Sequence, residues 1–228
     1  MSKVIFPQPA PLREQLKNHY LRWQTCRDCS LGCAANRHVF YDYQLNFKEQ
    51  ISVMFIGEAP GLSEDKIGKP FVGRSGKLLR EVISQTDRSL GWLITNVVAC
   101  RPTDESGNNR PPEPSEILAC RVRLTEVIHI CNPLVIVAVG MIAQYSLPPA
   151  VCGNPISWLT CLHPSYLLRT GGKSHPQYYD QFYGVIDNAF ETAYNHLKVK
   201  AATSSQHEVT LVCSDDYHTS RELRNYHD

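Results

Sequence analysis

The 228-residue chain contains no apolar run approaching the ~18–20 residues needed to span a membrane. Its opening stretch, MSKVIFPQPAPLREQ, has no apolar core of signal-peptide length, so the expected compartment is the cytoplasm. Net charge is only +1, so bulk charge points to no polyanionic partner. The glycines between Gly57 and Gly76 follow neither GxxxxGK[ST] nor GxGxxG, which argues against a nucleoside-triphosphate or dinucleotide pocket. There is no internal repeat. With 43% hydrophobic and 20% charged residues the chain reads as globular, long enough for one sizeable domain over residues 1–197, with a polar and flexible tail expected over 198–228.

Cysteine, by contrast, is abundant. There are nine, an odd number, and in a reducing compartment they are expected as buried thiols or metal ligands before disulfides. Five of them (Cys33, Cys131, Cys152, Cys161 and Cys213) are scattered through apolar or mixed segments. Charge is also unevenly spread. Lys66, Lys69, Arg74, Lys77 and Arg80 follow one another with no acidic residue between, a patch that would suit phosphates or simply form a solvated face.

Hydrophobic patterning predicts alternating helices and strands. Residues 11–24 carry Leu12, Leu16, Tyr20 and Trp23 on one stripe of a helix. The near-continuous apolar run at 51–56 reads as a strand buried on both faces, 92–99 as a second strand, 134–139 as a third, buried strand and 156–162 as a fourth. Helices are expected over 73–85, 115–131 (with Ser115 a candidate N-cap) and 177–197. Residues 101–114, rich in Pro, Asn and Gly, form a loop. Within the tail, Val209–Cys213 could add a strand. The pattern predicts an α/β fold, three layers deep (α/β/α), around a short four-stranded parallel sheet.

Ligands of such sheets bind beyond the carboxyl ends of the strands. Glu58 follows the first strand, Asn96 stands near the end of the second, and His163 follows the fourth. Singly, each has an ordinary explanation: an exposed loop acid, a turn amide, a capped loop histidine. Together they point to an active site on one rim. Between them, GLSEDKIGKPFVGRSGK offers backbone N–H groups to an anion beside Arg74 and Lys77. It also contains Phe71, which is either a core anchor or a stacking platform for a planar base.

Cys26 and Cys29 form a CxxC, and Cys100 and Cys120 lie far downstream. Four thiolates from separated segments suit a tetrahedral metal or a cubane cluster, and spacing alone does not separate zinc from iron–sulfur. Cys33 makes a rival ligand set possible, and Cys120 has the alternative of a buried helix thiol.

The segments CRDCSLG, GEAPGLSEDKIGKPFVGRSGKLL, ITNVVACRP, NRPPEPSEILAC and HPSYLLR, in that order from Cys26 to Arg169, resemble the family 4 uracil-DNA glycosylases, the iron–sulfur branch of the uracil-DNA glycosylase superfamily. The resemblance implies a [4Fe–4S] cluster on Cys26, Cys29, Cys100 and Cys120. It implies hydrolysis of the N-glycosidic bond of deoxyuridine in single- or double-stranded DNA by a monomer. It places Glu58 in the first catalytic motif between Gly57 and Ala59, and Glu64 on the pocket lining. Phe71 would stack on the flipped uracil, Asn96 would read its polar edge, and His163 would lie by the departing base. Arg74, Ser75 and Lys77, with Ser165 and Arg169, would meet DNA. Ala59 stands where another branch of the superfamily has an aspartate, a substitution normal for the iron–sulfur branch. The loop Thr103–Asn109 looks longer than is usual, and residues 41–50 look like a local variation. Alternative readings are a glycosylase for another damaged base, an inactive DNA-binding module, and a zinc-stabilised binding protein.

Overall fold

The computed structural model describes residues 10–147, 156–171 and 174–210, with side chains described as far as residue 203. The chain divides into two units, Met1–Tyr194 and Asn195–Asp228.

The core of the first unit is a five-stranded sheet in the order β1-β3-β2-β4-β5, formed by β1 (Tyr41–Gln44), β2 (Val53–Gly57), β3 (Trp92–Asn96), β4 (Val135–Val139) and β5 (Ser157–Cys161). The expected four parallel strands are present, and β2 and β4 are buried along their whole length. The sheet is not purely parallel, however. β1 pairs antiparallel with β3 and forms an extra edge. Its alternation is real but short: Tyr41 and Tyr43 pack on the core, while Asp42 takes ion pairs from Arg80 (2.8 Å) and Lys69 (3.7 Å). Four residues, three half-buried and one exposed, give too little periodicity to stand out in sequence.

Alternate residues of each strand serve opposite faces. Met54 and Ile56 of β2, with Ile136 and Ala138 of β4, pack against Leu16 of α1 (Leu12–Trp23) and Leu124, Val127 and Ile128 of α5 (Pro114–Cys131). Phe55 points the other way, its ring 5.9 Å from that of Phe190 in α8 (Pro176–Thr210). Arg88, just beyond α4 (Arg74–Thr86), is bonded to Asp187 of α8 at 2.8 Å. Short helices fill the remaining connections: α2 (Ser30–Ala34), α3 (Leu62–Ile67), α6 (Met141–Ser146) and α7 (Pro164–Arg169).

Three local expectations change. α5 is capped by Glu113, not Ser115: Pro114 occupies the first turn, where its missing N–H costs nothing, and the Glu116 carboxylate accepts the Glu113 N–H at 2.7 Å. β3 ends at Asn96, and Val97 and Val98 instead donate their N–H groups to the carbonyls of Gly57 and Glu58. The closing helix runs on from 197 to Thr210, so Val209 and Thr210 are helical; Leu211 to Cys213 lie outside the described residues. No described helix is long and apolar enough to cross a membrane.

Candidate active site

The register sets Gly57 directly beside Asn96 at the carboxyl ends of β2 and β3. β3 and β4 flank β2 on opposite sides, so the chain reverses its winding direction at this point and opens a crevice. The crevice has a volume of about 310 Å³ and is lined by Glu58, Ala59, Glu64, Phe71, Asn96 and His163, expected at the pocket, together with Ser75, Ser165 and Arg169, expected to meet DNA. Gly57 is not among the lining residues, but it makes room for two that are: a Cβ there would stand 2.5 Å from both Asn96 Oδ1 and Phe71 Cζ.

Asn96 is 1% exposed, and its Nδ2 has no hydrogen-bond partner among the described residues. A buried amide donor left unpaired costs about 1–3 kcal/mol, so the site is arranged for an acceptor that a ligand brings. Glu58 is half-buried and has no bonded partner among the described residues; burial raises its carboxyl above the ordinary range.

His163 caps α7. Its Nδ1 accepts the Ser165 N–H at 3.1 Å and lies 2.8 Å from Ser165 Oγ, which in turn accepts from Arg169 Nη1 at 3.2 Å. Nδ1 is thus held as an acceptor, and the network assigns the ring proton to Nε2. Burial pulls the ring down to about 4, with Arg169 acting in the same direction and Glu64 against it. The imidazole is therefore neutral at physiological pH and free to donate from Nε2. Gly140, at φ +93°, lets the chain pass close by: a Cβ there would stand 3.0 Å from that of His163.

Phe71 faces His163 with ring centroids 6.1 Å apart, and its φ of +53° is costly for a side chain with a Cβ. The strain is held from both sides. Arg80 donates to the carbonyls of Phe71 (2.9 Å) and Pro70 (2.8 Å), while Glu64 accepts the N–H groups of Val72 and Gly73, each at 2.8 Å. The other oxygen of Glu64 accepts the Gly61 N–H at 3.1 Å. Glu64 thus lines the pocket as expected but spends both oxygens on the loop around it.

Arg74 lies outside the crevice, in an adjoining groove shared with Ser75 and Arg169. Lys77 lines neither; it is exposed on α4. Sequence reasoning missed Pro102, Asn109 and Arg110, which line the crevice from the loop after β3. That loop is folded on itself by a Thr103–Asn109 bridge, and Arg110 binds Glu116 with both terminal nitrogens (2.9 and 2.7 Å). The spacing of Arg110 and Glu116 around three prolines was the available signal.

Cys26, Cys29, Cys100 and Cys120 line a second, small cavity of about 20 Å³ between α1, α2 and α5. Cys33 is exposed and outside it, which removes the rival set. Burial, reinforced by Cys120, Cys29 and Cys26, pushes the Cys100 thiol up to about 12, so charge on these thiols calls for compensation. Among the described residues no three His, Cys, Asp or Glu side chains are gathered closely enough to hold a metal ion.

Residues 46–186 match the model of the uracil DNA glycosylase superfamily. The chain is 46% identical to the type-4 uracil-DNA glycosylase of Thermotoga maritima over 163 residues, 65% of this chain and 80% of that protein. It is 46% identical to that of Pyrobaculum aerophilum over 43% of this chain and 48% of the relative, and 38% identical to that of Archaeoglobus fulgidus over 52% and 56%.

Proposed function

The chain belongs to the type-4 uracil-DNA glycosylases of the uracil-DNA glycosylase superfamily, and on that premise we propose that its crevice hydrolyses the N-glycosidic bond of deoxyuridine in DNA, releasing uracil and leaving an abasic site for base excision repair. The carrying observation is the buried, unpartnered Nδ2 of Asn96. Uracil offers it O4, while Oδ1 accepts from N3–H. Cytosine presents a donor and an acceptor in the reverse order, and would leave buried polar groups unpaired.

A base within a duplex is out of reach, so it must first be flipped into the crevice at a cost of a few kcal/mol. Phe71, fixed by Arg80 and Glu64, offers the face on which it stacks. The departing uracil carries negative charge on its carbonyl oxygens. His163 stabilises it by donating from Nε2 and, being neutral, needs to give up no proton. The deoxyribose gains positive charge, which the unpaired Glu58 carboxylate offsets while orienting the attacking water. Arg74, Ser75, Lys77, Ser165 and Arg169 meet the DNA backbone.

Cys26, Cys29, Cys100 and Cys120 would hold a [4Fe–4S] cluster. What supports this donor set is that all four cysteines line one cavity. Its contribution would be structural, with no step of the hydrolysis passing through it.

The test is release of uracil from a labelled uracil oligonucleotide beside thymine and cytosine controls, with Asn96→Asp in parallel. Wild type should release uracil only. Asn96→Asp should lose at least tenfold of its preference for uracil over cytosine, the worth of about one charged or buried hydrogen bond. An unchanged preference would remove Asn96 from base reading.

A further inference from the structure

Arg123 is 1% exposed and is among the largest fully buried side chains. It follows Cys120 by one turn of α5, so the two share a helix face. Its guanidinium spans two neighbourhoods. Nε donates to Cys120 Sγ at 3.3 Å, and Nη1 donates to Thr95 Oγ1 at 3.3 Å. Nη2 donates to the carbonyls of Asn96 (2.6 Å) and Val97 (3.1 Å). No carboxylate is bonded to it among the described residues. A guanidinium keeps its proton even when buried, and a buried charge without a counter-charge is strongly unfavourable. The negative charge it requires can come from the cysteine cavity, whose wall it forms.

We infer that Arg123 is a positioning residue that balances negative charge on the four-cysteine site and, with the same guanidinium, holds the backbone of Asn96, so that charge on the cysteine site and uracil binding at Asn96 are coupled. This rests on the assignment of the cluster and of Asn96 made above. Added charge on Cys120 draws the guanidinium toward sulfur and away from the Asn96 carbonyl. Uracil held by Asn96 resists that movement. By linkage each event must change the equilibrium of the other by the same factor. The reduction potential of a cluster responds to net charge and to hydrogen bonds at its sulfurs, and so reports the coupling.

The experiment uses iron-loaded protein, with free uracil as the probe. The cluster's midpoint potential is measured with and without saturating uracil in wild type, Arg123→Lys and Arg123→Met, alongside inhibition of oligonucleotide cleavage by uracil. Uracil should shift the potential of wild type. Arg123→Lys, which keeps the charge but cannot span both neighbourhoods, should retain iron and visible absorbance, lose the shift, and bind uracil about tenfold more weakly. Arg123→Met should also lower the potential itself, a cation beside the cluster being gone. Should Arg123→Met fail to accumulate, the wild-type and lysine proteins still decide. A wild-type potential indifferent to uracil, or a shift that survives in Arg123→Lys, overturns the coupling. Wild-type protein that carries no iron or releases no uracil would overturn the underlying assignments, and the inference with them, before any variant is made.

Discussion

Glu58 and Glu64 stand in the same crevice and illustrate how environment divides two like side chains. Glu64 accepts three backbone N–H groups and is committed to the loop. Among the described residues Glu58 accepts none, and it is penalised by burial. Its folded-state pKa is raised above 4.5, so its charge destabilises the fold above that raised value, and the penalty vanishes as pH falls below 4.5. Glu58→Gln should therefore melt higher than wild type at pH 7, and the difference should close toward pH 4, while kcat falls about a hundredfold. As wild type is acidified, Glu58 takes its proton before His163, whose ring holds out to about 4. The acid limb of kcat/KM should thus follow Glu58 in wild type and move down to about 4 in the variant; a limb that stayed in place would separate Glu58 from catalysis. At this scale the sequence was most legible where a side chain ends a strand. Glu58, Asn96 and His163 could be placed on one rim from their positions alone. Arg123 could not, because nothing in a helical run marks the one guanidinium that turns inward to a strand end. Lys77 shows the converse: its place in a basic stretch says nothing about which way helix α4 faces, and it stands exposed outside the crevice.

The elements around Phe71 are packed on backbone, which makes the loop sensitive to a single methyl group. At Gly76, in the first turns of α4, a Cβ would stand 2.1 Å from the Phe71 carbonyl carbon. Alanine is the better helix former by about 1 kcal/mol, but the clash is with main chain already held at positive φ and cannot be relieved by a rotamer change. Gly76→Ala should accordingly lose about 2 kcal/mol in urea unfolding and raise KM for uracil DNA as Phe71 is displaced. Gly184 in α8 is the matched control, with no atom within 4 Å of its Cβ position. There Gly184→Ala should gain about 0.5–1 kcal/mol and leave KM alone. If both behaved alike, the close approach of α4 to Phe71 would not be what holds the loop. The glycine-rich stretch from Gly57 to Gly76 was visible in sequence, and its lack of nucleotide-motif spacing correctly removed one class of pocket. Which of its glycines admits a ring and which admits a helix depends on tertiary contacts between β2, α4 and the loop between them. For the same reason β1 escaped notice: its partner Thr95 lies 54 residues from Tyr41, and only pairing with β3 makes four residues a strand.

Across the whole molecule, the cysteine site gathers three stretches of chain that are far apart: the CxxC before α2, Cys100 after β3, and Cys120 in α5. A cluster on all four would close the chain from residue 26 to residue 120. By analogy with a covalent cross-link over such a loop, that closure is worth about 4 kcal/mol of unfolded-chain entropy, apart from the bonding itself. For a domain of this size each kcal/mol corresponds to about 2–4 °C in Tm, so stripping the iron should lower Tm by about 10 °C. The loss should be felt unevenly. β2 and β4 are buried along their whole length within the sheet, whereas α2 is five residues long and buries only Leu31 and Gly32. Limited proteolysis of iron-depleted protein should therefore cut first between residues 24 and 40 and spare β2 to β4, and cleavage there should precede loss of the near-ultraviolet dichroism of the core. Sequence alone could assemble these four cysteines only through a family resemblance, since no spacing rule connects positions 29, 100 and 120. Their meeting in one cavity is a consequence of α5 packing on β3. Equal Tm with and without iron, or first cuts within the sheet, would mean that the fold is complete before the cluster binds and that the four thiolates serve something other than its stability.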